Sequence, residues 1–133
     1  MKQKYDEEIV RYFIQKDKKE RYLYMLTRSK HRRAVINELY DLNDFEPESV
    51  SEVPRTLCDA QNIYAFLKSK GAGDAAYVIS ASTERDGQIF PLLDALEDCV
   101  GYGVLTLVYC FKTKIGYCQT DGSRCFLLDK ALQ

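Results

Sequence analysis

Residues 102–128 read YGVLTLVYCFKTKIGYCQTDGSRCFLL, and their pattern decides the fold. Tyr102–Phe111 is the longest strand candidate in the chain, and Ile115–Thr120 and Ser123–Leu128 follow it as two more. Asp121–Gly122 is the strongest hairpin signal, because both positions tolerate the positive φ of a type I′ turn. Short turns between these three strands imply antiparallel pairing. With a two-residue turn at Asp121–Gly122, Cys118 and Cys125 stand opposite each other. Cys110 can join them if the Phe111–Ile115 turn has the right length.

Working upstream, Ala75–Ala81 (AAYVISA) is a short apolar run between Gly73–Asp74 and Ser82–Thr83, and it reads as another strand. Pro91 opens a helix with Leu92, Leu93, Leu96 and Val100 on its buried side and Gly101 as its stop. A helix joining the first strand to the second allows them to be parallel, through a right-handed crossover. The expected sheet is therefore mixed and about four-stranded, in the order strand–helix–strand–strand–strand.

The front half has a different period. Ile9, Tyr12, Phe13 and Lys16 fall on one helical face, with the Lys16 stem able to cover its end. Tyr22, Leu23, Met25 and Leu26 form a second apolar cluster. Ser29 suits an N-cap ahead of Val35, Ile36, Leu39 and Tyr40. Two or three helices are expected between about Lys4 and Leu42, then a loop over Asn43–Arg55, which carries Pro47, Ser49, Ser51 and Pro54. Thr56 and Asp59 resemble a capping box for a helix bearing Leu57, Ala60, Ile63, Tyr64 and Leu67, ended by Gly71. The chain reads as one α+β domain, residues 1–133. Residues 4–70 are mostly helical and pack on one face of a sheet built from 75–129 with one crossover helix.

Composition narrows the class. The chain has 133 residues, is 46% hydrophobic and carries a net charge of −1, which suits one packed core rather than a disordered tail. No apolar targeting segment or membrane-length run is visible, so a cytoplasmic location is expected. Five cysteines without a CxxC pair argue for free thiols packed as small hydrophobes. The near-neutral total hides an asymmetry: 16–33 holds eight Lys/Arg against two acids, and 38–59 holds seven acids against one arginine. These segments can neutralise each other across the fold, which competes with any external partner.

Three constellations could carry chemistry. Ser80–Gln88 leaves a strand end and enters a helix, where ligands often bind. Ser80, Ser82, Glu84, Arg85 and Asp86 are the ligand-binding candidates. The simpler reading is a solvated connection with a turn at Asp86–Gly87. Arg28, Lys30, His31, Arg32 and Arg33, near Tyr22 and Tyr24, could meet a protein partner or nucleic-acid phosphates. The alternative is ordinary helix-surface charge in a chain that is not basic overall. His31 is the only histidine, so any Ser–His–Asp or Cys–His machine would need it, yet its neighbours read as an exposed helix start. A Cys110, Cys118 and Cys125 cluster would lack a fourth metal ligand unless Cys99 or Cys58 supplied one. No cofactor, metal or catalytic residue is assigned.

KKERYLYMLTRSKHRRAVINELYDLNDF (18–45), together with YVIS (77–80) and ERDGQIFPLLDALEDCVGYGV (84–104), resembles a family of small uncharacterised bacterial proteins. That resemblance implies a bacterial, cytosolic, single-domain protein and brings neither an activity nor a fold. The expected function is a binding or regulatory module for a macromolecular partner, with the reading leaning away from an enzyme and a homodimer left open. The alternatives are a small-ligand binder or hydrolase-like enzyme using the Ser80–Gln88 loop, and nucleic-acid binding through Arg28–Arg33. No membrane partner is expected.

Overall fold

A computed structural model describes residues 2–39, 42–100, 105–120 and 124–129. Three helices come first: α1 (Lys2–Phe13), α2 (Lys19–Leu26) and α3 (Ser29–Glu38), with a 3₁₀ turn at Lys16–Lys18. Strand β1 (Val50–Val53), helix α4 (Ala60–Ser69) and strands β2 (Ala75–Ser80) and β3 (Gln88–Pro91) follow. The rest is α5 (Leu92–Cys99), β4 (Thr106–Cys110), β5 (Ile115–Gln119) and β6 (Cys125–Asp129). Among the described residues no helix is long and apolar enough to cross a membrane.

The fold is α+β, but among the described residues the sheet has six strands, ordered β1-β6-β5-β4-β2-β3, all paired antiparallel. The mixed, four-stranded expectation is thus corrected in two places. The segment 43–55, read as a loop, contributes β1 at one edge, so the sheet is not confined to 75–129. The Ser80–Gln88 connection ends in β3, which pairs back on β2 with Tyr77 opposite Ile89. This extra reversal makes β3 and β4 parallel to each other with β2 between them. The crossover helix therefore links β3 to β4, and β2 and β4 run antiparallel.

Helices also cover both faces of the sheet, not one. Ile9, Phe13, Tyr22 and Ile36 of α1–α3 pack with Tyr77, Ile79, Leu107, Tyr109, Cys118 and Phe126. Ile63 and Leu67 of α4, with Leu92 and Leu96 of α5, pack on Ala76, Val78, Val108, Cys110, Tyr117 and Cys125. Neighbouring residues on one strand, such as Tyr77 and Val78, thus join different cores, as the period-2 pleat requires. Both faces need cover because β2 and β4 are mostly apolar on each side and are buried along almost their whole length.

Local details differ in instructive ways. Asp59, not Thr56, caps α4: its carboxylate accepts from the Asn62 amide at 2.8 Å. Thr56 and Leu57 belong to a 3₁₀ turn at Arg55–Leu57, ahead of that helix. Gly71 ends α4 at φ +92°, a conformation that costs glycine little. Arg28 occupies the cap of α3 and Ser29 is its first residue, without a side-chain cap bond. The Asp121–Gly122 turn and the Gly101 stop lie outside the described residues. The flanking register is nonetheless clear: Gln119 faces Cys125 and Cys118 faces Phe126. The one-residue shift puts Cys118 and Cys125 on opposite faces.

Candidate functional site

The two polar constellations of the sequence meet at one point. Arg32, from the basic run on α3, donates from Nε to Asp86 Oδ2 at 2.6 Å and from Nη2 to Oδ1 at 3.0 Å. Its Nη1 donates to Asp6 Oδ2 at 2.8 Å and to the Leu26 carbonyl at 3.1 Å. The Tyr77 hydroxyl donates to Asp6 Oδ1 at 2.7 Å, and Asp86 Oδ1 also accepts from the Ser80 amide at 3.1 Å. The Arg32 side chain is only 16% exposed. This is a nearly saturated internal clamp from α1 through α3 to the β2–β3 connection. Burial raises the pKa of Asp6, and the Arg32 and Tyr77 hydrogen bonds offset only part of that rise.

The same motif recurs twice. Tyr109 donates to Glu8 at 2.6 Å, with Lys114 Nζ 3.5 Å from that carboxylate. Tyr22 donates to Asp44 at 2.5 Å, and Lys18 bonds the same carboxylate at 2.6 Å. Burial alone would raise Asp44, but the Lys18 and Tyr22 hydrogen bonds hold it below the usual carboxylate value. Lys18–Asp44 and Arg21–Glu38 join the basic and acidic segments, so part of the charge asymmetry is settled inside the molecule.

The remaining loop candidates scatter. Ser80 Oγ lies 3.2 Å from Thr106 Oγ1 and accepts from the Ser82 amide at 3.0 Å. Glu84 is exposed, and Arg85 pairs with Asp98 while lying over the Phe90 ring. A cleft of about 240 Å³ opens between α3 and this loop, lined by Ser29, Arg33, Thr83 and Asp86 among others.

Arg28, Lys30, His31 and Arg33 stay exposed and form no ion pair among the described residues, whereas Arg32 points inward. Two of them, Arg28 and His31, flank Tyr24, which is 53% exposed. The Arg28 guanidinium sits 4.3 Å from the centre of that ring, and His31 stacks at 6.2 Å.

The cysteines depart from the free-thiol expectation. Cys58 and Cys125 form a disulfide. Cys99, Cys110 and Cys118 are free and buried, and burial pushes each thiol up to about 12. Cys110 and Cys118 belong to different cores, so the three late cysteines do not cluster. Among the described residues no group of three His, Cys, Asp or Glu could hold a metal ion.

An apolar groove of about 330 Å³ was not anticipated. It lies between α4 and the β1 edge and is lined by Val53, Pro54, Leu57, Ile63, Phe66 and Leu127. Leu57 is 48% exposed and Phe66 42% exposed. Both were legible as apolar residues, but sequence reasoning placed Leu57 on the buried helix face and missed β1, whose position makes the groove. Comparisons of the chain with protein-family models, curated proteins and solved structures return no match.

Proposed function

We propose that the protein is a binding module that takes an extended, apolar segment of a partner protein into the groove beside β1. The observation that carries this reading is the groove's position. Among the described residues β1 pairs with β6 on one side and ends the strand order on the other, and Glu52 and Val53 of this edge strand line the apolar channel. An open edge offers backbone hydrogen bonds, and pockets beside it select alternate side chains. Glu52 and Arg124 sit at the rim as a surface ion pair, a place for polar selection rather than affinity. The other sheet edge is less suited, because β3 ends at Pro91 and Arg85 lies over its Phe90.

Selection from a displayed library of random peptides tests the reading. Binders should carry apolar residues at alternate positions. Replacing the exposed Phe66 or Leu57 by aspartate should remove their binding without shifting the melting temperature. Binders indifferent to both substitutions count against the groove. A concentration-dependent dimer abolished by Leu57→Asp would instead make a second copy of this chain the occupant.

The small-ligand or hydrolase-like reading of the Ser80–Gln88 loop gains less support, since Asp86 is committed to Arg32. A second reading rests on Arg28 against the exposed Tyr24 ring and the exposed Lys30 and Arg33 of α3, which suit a polyanion such as single-stranded nucleic acid. It requires binding to a labelled oligonucleotide at about 50 mM salt that weakens steeply as salt rises. Absence of binding there ends that reading.

A further inference from the structure

Cys58 lies in the short segment between β1 and α4 that forms one lip of the groove. It is joined to Cys125 of β6, 67 residues away, with the Cα atoms 6.1 Å apart, inside the range that a disulfide spans. Three observations meet at this bond. Three backbone hydrogen bonds of the lip stay within it: Leu57 N to Pro54 O, Cys58 N to Arg55 O, and Asp59 N to Leu57 O. Pro54 to Leu57 are all exposed, and the disulfide is a second covalent tie to the sheet beside the chain's own passage from Val53 to Pro54. The two sulfurs also differ in access, since Cys58 is half-buried and Cys125 fully buried. Finally, the Cys125 sulfur sits 3.0 Å from the Tyr117 hydroxyl and 3.6 Å from Gln119 Oε1, two fully buried residues whose side chains are hydrogen-bonded to each other at 2.6 Å.

While the disulfide stands, the Tyr117 hydroxyl donates to Gln119 Oε1 at 2.6 Å. A cysteine released from the bond can enter that pair. Its thiolate accepts from the Tyr117 O–H, and its thiol donates to Gln119 Oε1. Burial raises the pKa of Tyr117, so that hydroxyl keeps its proton. The reduced state thus finds a hydrogen-bonded pair, able to share its proton with the sulfur, already beside Cys125.

We propose that Cys58–Cys125 is an exchangeable thiol–disulfide site whose reduction frees the lip of the groove. The regulatory consequence rests on the groove reading above; the exchange chemistry does not. A dithiol reductant supplies the electrons. One of its thiolates attacks the accessible Cys58 sulfur, the Cys58–Cys125 bond breaks, and Cys125 leaves as a thiolate that then takes a proton. The second thiolate of the reductant attacks its own sulfur in the mixed disulfide and expels Cys58. The net change is two protein thiols and one reductant disulfide, a two-electron transfer. In a reducing compartment such a bond is transient and suited to sensing, which accords with the cytoplasmic expectation.

The test uses the whole chain, air-oxidised and then treated with dithiothreitol, and followed by alkylation mass and by amide NMR. The oxidised protein should show three alkylatable thiols after denaturation and the reduced protein five. On reduction, amide shifts and faster hydrogen exchange should concentrate at 54–66 and 124–127, with α1–α3 unchanged, and Cys58→Ser should reproduce the reduced spectrum. Tyr117→Phe should slow reduction about tenfold, through loss of a hydrogen bond to the leaving thiolate. Five alkylatable thiols in the oxidised protein, shifts confined to the two cysteines, or unfolding of the whole chain on reduction would each overturn the proposal. Failure of the groove reading would appear elsewhere, as an absence of groove-directed peptides in either redox state.

Discussion

Arg32 and Asp86, 54 residues apart in the chain, form a two-point ion pair that locks α3 onto the connection between β2 and β3. Asp6 holds the opposite side of the same guanidinium. Removing one member strands the others in a poorly solvated place. Arg32→Met should therefore destabilise the fold by about 3–5 kcal/mol, and Arg32→Lys should recover little because an ammonium cannot grip two carboxylates in a plane. Urea unfolding of the two variants checks this, and a loss below 1 kcal/mol would mean the clamp behaves as an ordinary surface pair.

Asp44 gives acid sensitivity a definite sign. Its folded-state pKa is depressed below the ordinary 3.8. The stability it contributes is present above that value and is lost as pH falls through the lower, folded-state value. Asp44→Asn should cost about 1–3 kcal/mol at neutral pH, and its difference from wild type should shrink as the pH drops below about 4. Denaturant midpoints across that range measure the difference. Asp6 works in the opposite sense: its pKa is raised, so its contribution is greatest below the ordinary carboxylate range and is lost as pH rises through the folded-state value.

Tyr109 is fully buried and donates to Glu8 across the interface between α1 and the sheet. Tyr109→Phe leaves that carboxylate with Lys114 at 3.5 Å, a long and partly exposed contact. The expected cost is about 1–3 kcal/mol, read by thermal unfolding. Amide shifts should move in α1 while α4 and α5 stay unchanged.

Gly116 sits where a side chain would be tightly crowded. A Cβ there would lie 3.1 Å from the Val108 carbonyl oxygen of the paired strand, with Leu128 behind it. Gly116→Ala should destabilise by about 1–3 kcal/mol, although alanine is usually tolerated better than glycine in a strand. A neutral result by calorimetry would show that β4 and β5 can separate slightly at no cost.

Much of this architecture was legible in the residues. The stripe of α1, the stop at Gly71, and the strands around Tyr77, Tyr109 and Tyr117 follow from period and turn chemistry. The second helical layer could have been read from AAYVIS and TLVYC, because runs with no polar alternation need cover on both faces. β1 and β3 were hidden for a different reason. VSEV and QIFP are four residues each, the first followed by Pro54 and the second ending in Pro91, and take their strand character from their neighbours rather than from their own pattern. The Arg32 clamp could not be found by spacing, since its parts lie on α1, α3 and the β2–β3 connection. The groove needed β1 and α4 together, so no local motif could announce it.

The most direct measurement is a calorimetric titration of one library-selected peptide into wild type, Phe66→Asp and Arg28→Ala/Arg33→Ala proteins. Docking beside β1 predicts that Phe66→Asp weakens binding at least tenfold, since a central apolar anchor is worth about 2 kcal/mol or more, while the double arginine variant binds like wild type. Full affinity in Phe66→Asp together with lost affinity in the arginine variant would contradict the account and move the binding surface to α3.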